Sequence, residues 1–323
     1  MYRLLPLLLV FMNIPALAEN IKLAWPAACN TGKDCWTVNH IDHDPGAGAK
    51  DYTCGTLVYD AHNGTDIALR DVKSMQEGVD VIAAAEGKVV RVRNDVPDHH
   101  GTADDLAAAR ASKKECGNLV SLLHADKWVT EYCHMKMGSV AVRLGDTVRR
   151  GQKLGQVGQS GLALFPHLHF GLRHNNAIVD PFTGGAQTAS CGETAAPLWE
   201  QPVAYKPTSF YAAGFATAPP TVEALARDAS SSSTITRDAP ALVFWVELFG
   251  VKAGDKLTLE IRAPDGSSFA RSETSLEKDQ IKYFKFTGNK NETALPAGSY
   301  HGVATIMRGN TAAGSIERSV AVN

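Results

Sequence analysis

Residues 166–173 read Pro-His-Leu-His-Phe-Gly-Leu-Arg. In a strand, side chains at i and i+2 share a face, so His167 and His169 point to one side while Leu168 and Phe170 face the other layer. Two imidazoles on one face can reach a common site. A second polar motif lies a hundred residues earlier, His62-Asn-Gly-Thr-Asp66. Asn63-Gly64 is a turn pair, which predicts strand-turn-strand and not a helix, with Gly64 giving the tight backbone that brings imidazole and carboxylate together. A third histidine, His134, closes the run Thr130-Glu-Tyr-Cys-His134. Regular alternation would put it on a face with Thr130 and Tyr132 and turn Cys133 away toward a disulfide. Taken singly, each motif is also what satisfied surface histidines or a turn-capping aspartate would give.

Together they carry more. Two imidazoles and a carboxylate form the ligand set of a catalytic zinc site, which holds the metal with three protein groups and leaves a position for water. The ordered set resembles the lysostaphin-like (LytM-type) zinc metallopeptidases, which cut peptide cross-links in bacterial peptidoglycan. The match runs over roughly Tyr59 to Phe182. It takes in His62-x-Gly64-x-Asp66, Val81-x-Ala83-x-x-x-Gly87-x-Val89, Gly117-Asn-x-Val120, His124, Tyr132-x-His134-Met135, Gly145-x-x-Val148-x-x-Gly151-Gln, Gly158-x-Ser160-Gly161 and Pro166-His-Leu-His-Phe170. The resemblance implies Zn²⁺ on His62, Asp66 and His169, with His134 and His167 acting on the substrate. It implies a zinc-dependent endopeptidase, with His167 as general base and His134 as hydrogen-bond donor to the oxyanion, two roles that could be exchanged. The alternative is a non-catalytic module of the same fold that binds wall peptides or activates an amidase. A carrier-domain reading of Met135-Lys-Met137 fails on order, because the Gly145–Gln152 turn follows the lysine instead of preceding it.

Composition bounds the setting. Arg3, an apolar run from Leu4 to Met12 and Ala16-Leu-Ala18 predict an export signal over residues 1–18, too short to span a bilayer. The expected location is periplasmic or secreted. Six cysteines, Cys29, Cys35, Cys54, Cys116, Cys133 and Cys191, then read as disulfides. Cys116 and Cys133 flank a hairpin and are expected to pair; the other four admit three pairings. The formal net charge is −2 with no basic stripe, which argues against nucleic acid and anionic membranes as partners. Peptidoglycan peptide is the expected partner.

The fold expected is mainly β: an antiparallel catalytic domain over 19–205 with a cysteine-rich lead-in, a proline-marked linker over 206–233, and an immunoglobulin-like β-sandwich over 234–323. Asp95–Glu115 interrupts the strand pattern and is expected as a loop insertion carrying a short helical turn. His40, Asp42, His43 and Asp44 read as a solvated loop, and His99, His100 and His174 as exposed loop residues. The last hundred residues contain no cysteine and only one histidine, His301, and are assigned no chemistry.

Overall fold

The computed structural model describes residues 21–193 and 196–323; the leader expected over residues 1–18 lies outside them. Among the described residues, ten strands and two α-helices precede residue 205. They are β1 (Cys35–Asn39), β2 (Thr65–Leu69), α1 (Val72–Glu77), β3 (Asp80–Ile82), β4 (Gly87–Arg93), α2 (Ala103–Ala111), β5 (Asn118–Leu123), β6 (Trp128–Met135), β7 (Thr147–Val148), β8 (Lys153–Gln156), β9 (His167–His174) and β10 (Ala177–Ile178). Seven strands run side by side in the order β1-β2-β9-β6-β5-β4-β7, and β10 adds to β9. Neighbours pair antiparallel. One face carries Val89, Val120, Leu122, Tyr132, Leu168 and Phe170, all buried in a core completed by the β3–β8 pair and Trp199. The other face carries the polar motifs.

The strand expected at Pro166–Arg173 is present as β9. Asp95–Glu115 folds more than one turn: α2 spans nine residues and begins with a capping box between Thr102 and Asp105. The disulfides are Cys29–Cys35, Cys54–Cys191 and Cys116–Cys133, so the expected hairpin pair forms and one of the three open pairings is chosen.

The C-terminal part has two sheets. One holds β11 (Ser209–Ala216), β13 (Ala241–Val251) and β16 (Gln280–Lys290). The other holds β12 (Thr234–Ile235), β14 (Lys256–Arg262), β15 (Ser268–Ser275), β17 (Gly298–Arg308) and β18 (Thr311–Val322). The stretch 206–233 is not featureless, for it contains β11 and a short helix, α3 (Val222–Arg227). Every residue of β13 is buried, because the strand is covered on both faces. Leu242, Phe244, Val246 and Leu248 pack between the two sheets, while Trp245 and Phe249 turn toward Trp36 and Leu57 of the first part. This three-stranded sheet is therefore the layer on which the first part rests.

Candidate metal and catalytic site

Strand register places the first three residues. Asp66 on β2 pairs directly with His169 on β9, and Ala68 pairs with His167. Cross-strand partners share a face, so both histidines and Asp66 project from the polar side of the sheet. His62 joins from the preceding turn. Its Nδ1 donates to the His40 carbonyl at 2.6 Å, which leaves Nε2 to face Asp66 Oδ1 and His169 Nδ1, each at 3.2 Å. His169 Nδ1 lies 2.9 Å from Asp66 Oδ1. Asn39 at the end of β1 holds the second carboxylate oxygen, donating from Nδ2 to Oδ2 at 2.9 Å.

These donors fit a metal. Among the described residues, His62, Asp66 and His169 form the one His/Asp group in which ligand atoms converge without a disulfide. Their mutual spacing approaches the roughly 3.3 Å edge of a tetrahedron with vertices ~2.0 Å from zinc. The other two clusters contain the cystines Cys29–Cys35 and Cys116–Cys133, whose sulfurs are already bonded. Burial alone would raise the Asp66 carboxyl, but the facing imidazoles hold it well below the usual carboxylate range.

His134 arrives by a different route from the one alternation predicts. The β5–β6 register goes from Asn118↔Met135 to Val120↔Tyr132, so β6 carries an extra residue there. His134 sits in this bulge with φ 60°, a left-handed conformation uncommon for a side chain of its size. The bulge re-aims it. Tyr132 stays on the core side against Phe170 with its hydroxyl accepting from the Ala84 amide, whereas the His134 ring lies 4.6 Å from His167 and 6.0 Å from His169. The expected common face for His134 and Tyr132 is thus corrected. The Cys116–Cys133 disulfide and a bond from the His134 amide to the Cys116 carbonyl clamp the distorted turn.

Both extra imidazoles are oriented alike. His134 Nδ1 donates to the Ser160 carbonyl and His167 Nδ1 to the Phe165 carbonyl, each at 2.8 Å. A carbonyl can only accept, so each neutral ring presents a bare Nε2 lone pair. The Nε2 of His167 stands 3.7 Å from Asp66 Oδ1. Burial pushes both rings below the ordinary imidazole value, His134 well below it with help from its histidine neighbours, while Asp66 opposes the shift at His167.

The polar group before the site is not a solvated loop. His40, Asp42 and His43 are buried. His43 Nε2 pairs with Asp180 at 3.0 Å, and Asp42 Oδ2 accepts from the Ala61 amide at 2.9 Å, which ties down the turn leading to His62. His40 packs among Tyr52, Phe182 and Tyr205. His124 bonds the Glu86 carbonyl and Thr130 and is structural. His99 is partly buried against the Gly161 carbonyl, and His174 stacks on Trp128; neither approaches the site. Asn39 and Phe165 were not singled out by sequence, and Ser160 entered only within a matched motif, with no role for its carbonyl. A strand-terminal Asn and two backbone carbonyls leave no trace in residue order.

A buried His-Asp-His triangle with two base-oriented imidazoles on an antiparallel sheet has the donor set of a metallopeptidase. Residues 60–181 match the sequence model of Peptidase family M23. The cell division protein DipM of Caulobacter vibrioides is 33% identical over 104 residues, 32% of this chain and 14% of DipM. The peptidoglycan DD-endopeptidase ShyA of Vibrio cholerae is 33% identical over 111 residues, 34% of this chain and 20% of ShyA. The chain thus spans under a quarter of the length of these curated relatives. The catalytic domain of the M23 protein EnpA from Enterococcus faecalis aligns at 25% identity with TM-score 0.33, covering 49% of this chain and 97% of that one. No helix among the described residues is long and apolar enough to cross a membrane.

Proposed function

We propose that the protein is a zinc-dependent endopeptidase that hydrolyses peptide bonds in peptidoglycan cross-links, acting outside the cytoplasm. We read 19–205 as the peptidase unit and 234–323 as an immunoglobulin-like accessory sandwich. The observation that carries the proposal is the convergence of His62 Nε2, Asp66 Oδ1 and His169 Nδ1 beside two imidazoles with free lone pairs. Zn²⁺ bound by these three residues would supply Lewis-acid polarisation and lower the pKa of its water toward ~7.

The chain's own groups supply the proton traffic. His167 Nε2, closest to Asp66, takes the proton of the attacking water. His134 Nε2 carries no proton in the resting ring, so it hydrogen-bonds to the developing oxyanion only once that ring is protonated. The proton taken up by His167 passes to His134, whose ring centroid stands 4.6 Å away, and leaves with the departing amine. The five side chains together support hydrolysis over passive wall binding, which would need none of them as bases.

The decisive experiment incubates purified zinc-loaded protein with sacculi and identifies the released fragments by mass spectrometry. New amino termini at one bond type are expected. Metal-replete protein that releases nothing from sacculi and cuts no cross-linked peptide would sink the reading.

A further inference from the structure

We propose that the groove between the peptidase unit and the C-terminal sheet binds an acidic flank of the substrate peptide, with the Lys282 ammonium holding a substrate carboxylate. This rests on the endopeptidase reading above and names a specificity site within it.

The groove has a volume of about 850 Å³ and is lined beside the candidate site by residues that hold its side chains, not by those side chains themselves. Asn39, Gln159 and Phe165 line it. Asn39 holds Asp66, and Phe165 holds His167 through its carbonyl while its ring stands 4.8 Å from the imidazole. A peptide that extends past Asn39 and Phe165 from the reacting centre would meet this groove next.

The opposite wall is the C-terminal sheet. Lys282 pairs with Phe249 across β13 and β16, which puts it on the face turned toward the peptidase unit. Its Nζ lies 5.9 Å from the Phe165 ring centroid and 5.4 Å from that of Tyr211, positions that cation–π attraction favours. Lys282 has no ion-pair partner among the described residues. Acids near these walls are engaged elsewhere or stand farther off. Asp71 is engaged at one oxygen by Ser74 and at the other by the Ala229 amide, and Glu223 is exposed on α3. Glu247 is buried on the same sheet face; burial raises its carboxyl above the ordinary range and the Lys282 charge partly opposes that shift, but the two form no ion pair.

A second observation points to a peptide. Gln159 is 2% exposed, and its Oε1 has no hydrogen-bond partner among the described residues, an acceptor left for a donor such as a backbone N–H. The lining is otherwise mostly apolar, with Leu164, Pro166 and Ile281 suited to methyl side chains. An extended peptide with small side chains and a free carboxylate satisfies the acceptor, the ammonium and the apolar walls together.

The test uses a cross-linked wall peptide and the same peptide with its carboxylates converted to primary amides. For the wild-type chain, kcat/KM should favour the carboxylate form by about tenfold, the scale of one charged hydrogen bond. Lys282→Met should bring that ratio near unity and Lys282→Arg should keep it. Binding is read in parallel by calorimetry with metal-free protein, which cannot turn over. Lys282-dependent binding of the carboxylate peptide without cleavage of either peptide upholds the groove and removes the endopeptidase reading. Cleavage with the same preference in wild type and Lys282→Met upholds the endopeptidase and overturns the groove. A dimer in sedimentation that Lys282→Glu abolishes would also overturn it, by assigning the face to a second copy.

Discussion

The Cβ that Gly64 lacks would stand 2.5 Å from both Cε1 and Nε2 of His169. It would also meet the Phe170 carbonyl oxygen at 2.8 Å, and backbone there has nowhere to go. The glycine in the His62-x-Gly64-x-Asp66 motif is thus the space in which a ligand ring lies. Gly64→Ala should fold with unchanged far-ultraviolet dichroism yet bind zinc about 10- to 100-fold more weakly, the range for disturbing a ligand's support. Competition with a chromophoric chelator measures this; unaltered affinity would show that the ring tolerates displacement.

Asn39 fixes the carboxylate in the same way as His40 fixes His62. Asn39→Leu removes the bond to Asp66 Oδ2 and leaves that oxygen free to rotate. Zinc affinity should fall about tenfold or more, with kcat falling less than affinity once metal is saturating. Wild-type affinity in the variant would rule out a positioning role.

The two kinds of histidine separate under substitution. His169→Ala should lose both metal and turnover. His134→Ala should keep its zinc and lose about 10²- to 10⁴-fold in kcat, since its ring reaches the reaction only through protons and hydrogen bonds. Zinc content by elemental analysis beside peptide hydrolysis distinguishes the two. A His134→Ala chain of normal rate would remove the residue from the mechanism.

His40 makes stability depend on acid. Burial lowers its imidazole to about 4, against 6.5 when exposed. Above pH 6.5 the ring is neutral in both states and costs nothing. As pH falls toward 4 the unfolded chain takes up a proton that the folded one refuses, so stability drops by roughly 3 kcal/mol across that window. His40→Phe, sitting among the same aromatic rings, should flatten this limb. Melting temperatures from pH 7 to 4 that decline in parallel for both chains would place the effect elsewhere.

The alternation in His167–Phe170 was enough to predict a strand with both imidazoles on one face, and the Asn63-Gly64 turn was enough to bring Asp66 to His62; that the two motifs meet came from the family resemblance. Both are local properties of the backbone. The hairpin disulfide Cys116–Cys133 was legible for the same reason. His40 and His43 were misread because their partners, Phe182 and Asp180, lie about 140 residues further on, and a run of His and Asp looks solvated until its counterparts arrive. The orientation of His134 was misread because one inserted residue in β6 breaks the period on which alternation rests. Strand β11 was hidden by the prolines around it, though it starts only after Pro207 and ends before Pro219. The apolar run of β13, broken only by Glu247, is a strand signal, but it did not show that the second face would be covered by the first part of the chain.

The bridge from Cys54 to Cys191 encloses all five histidine and aspartate positions of the site in one covalent ring. A protease that nicks the largely exposed helix α2 therefore opens the chain without separating its pieces. In surroundings crowded with other hydrolases, such a molecule would wear without falling apart.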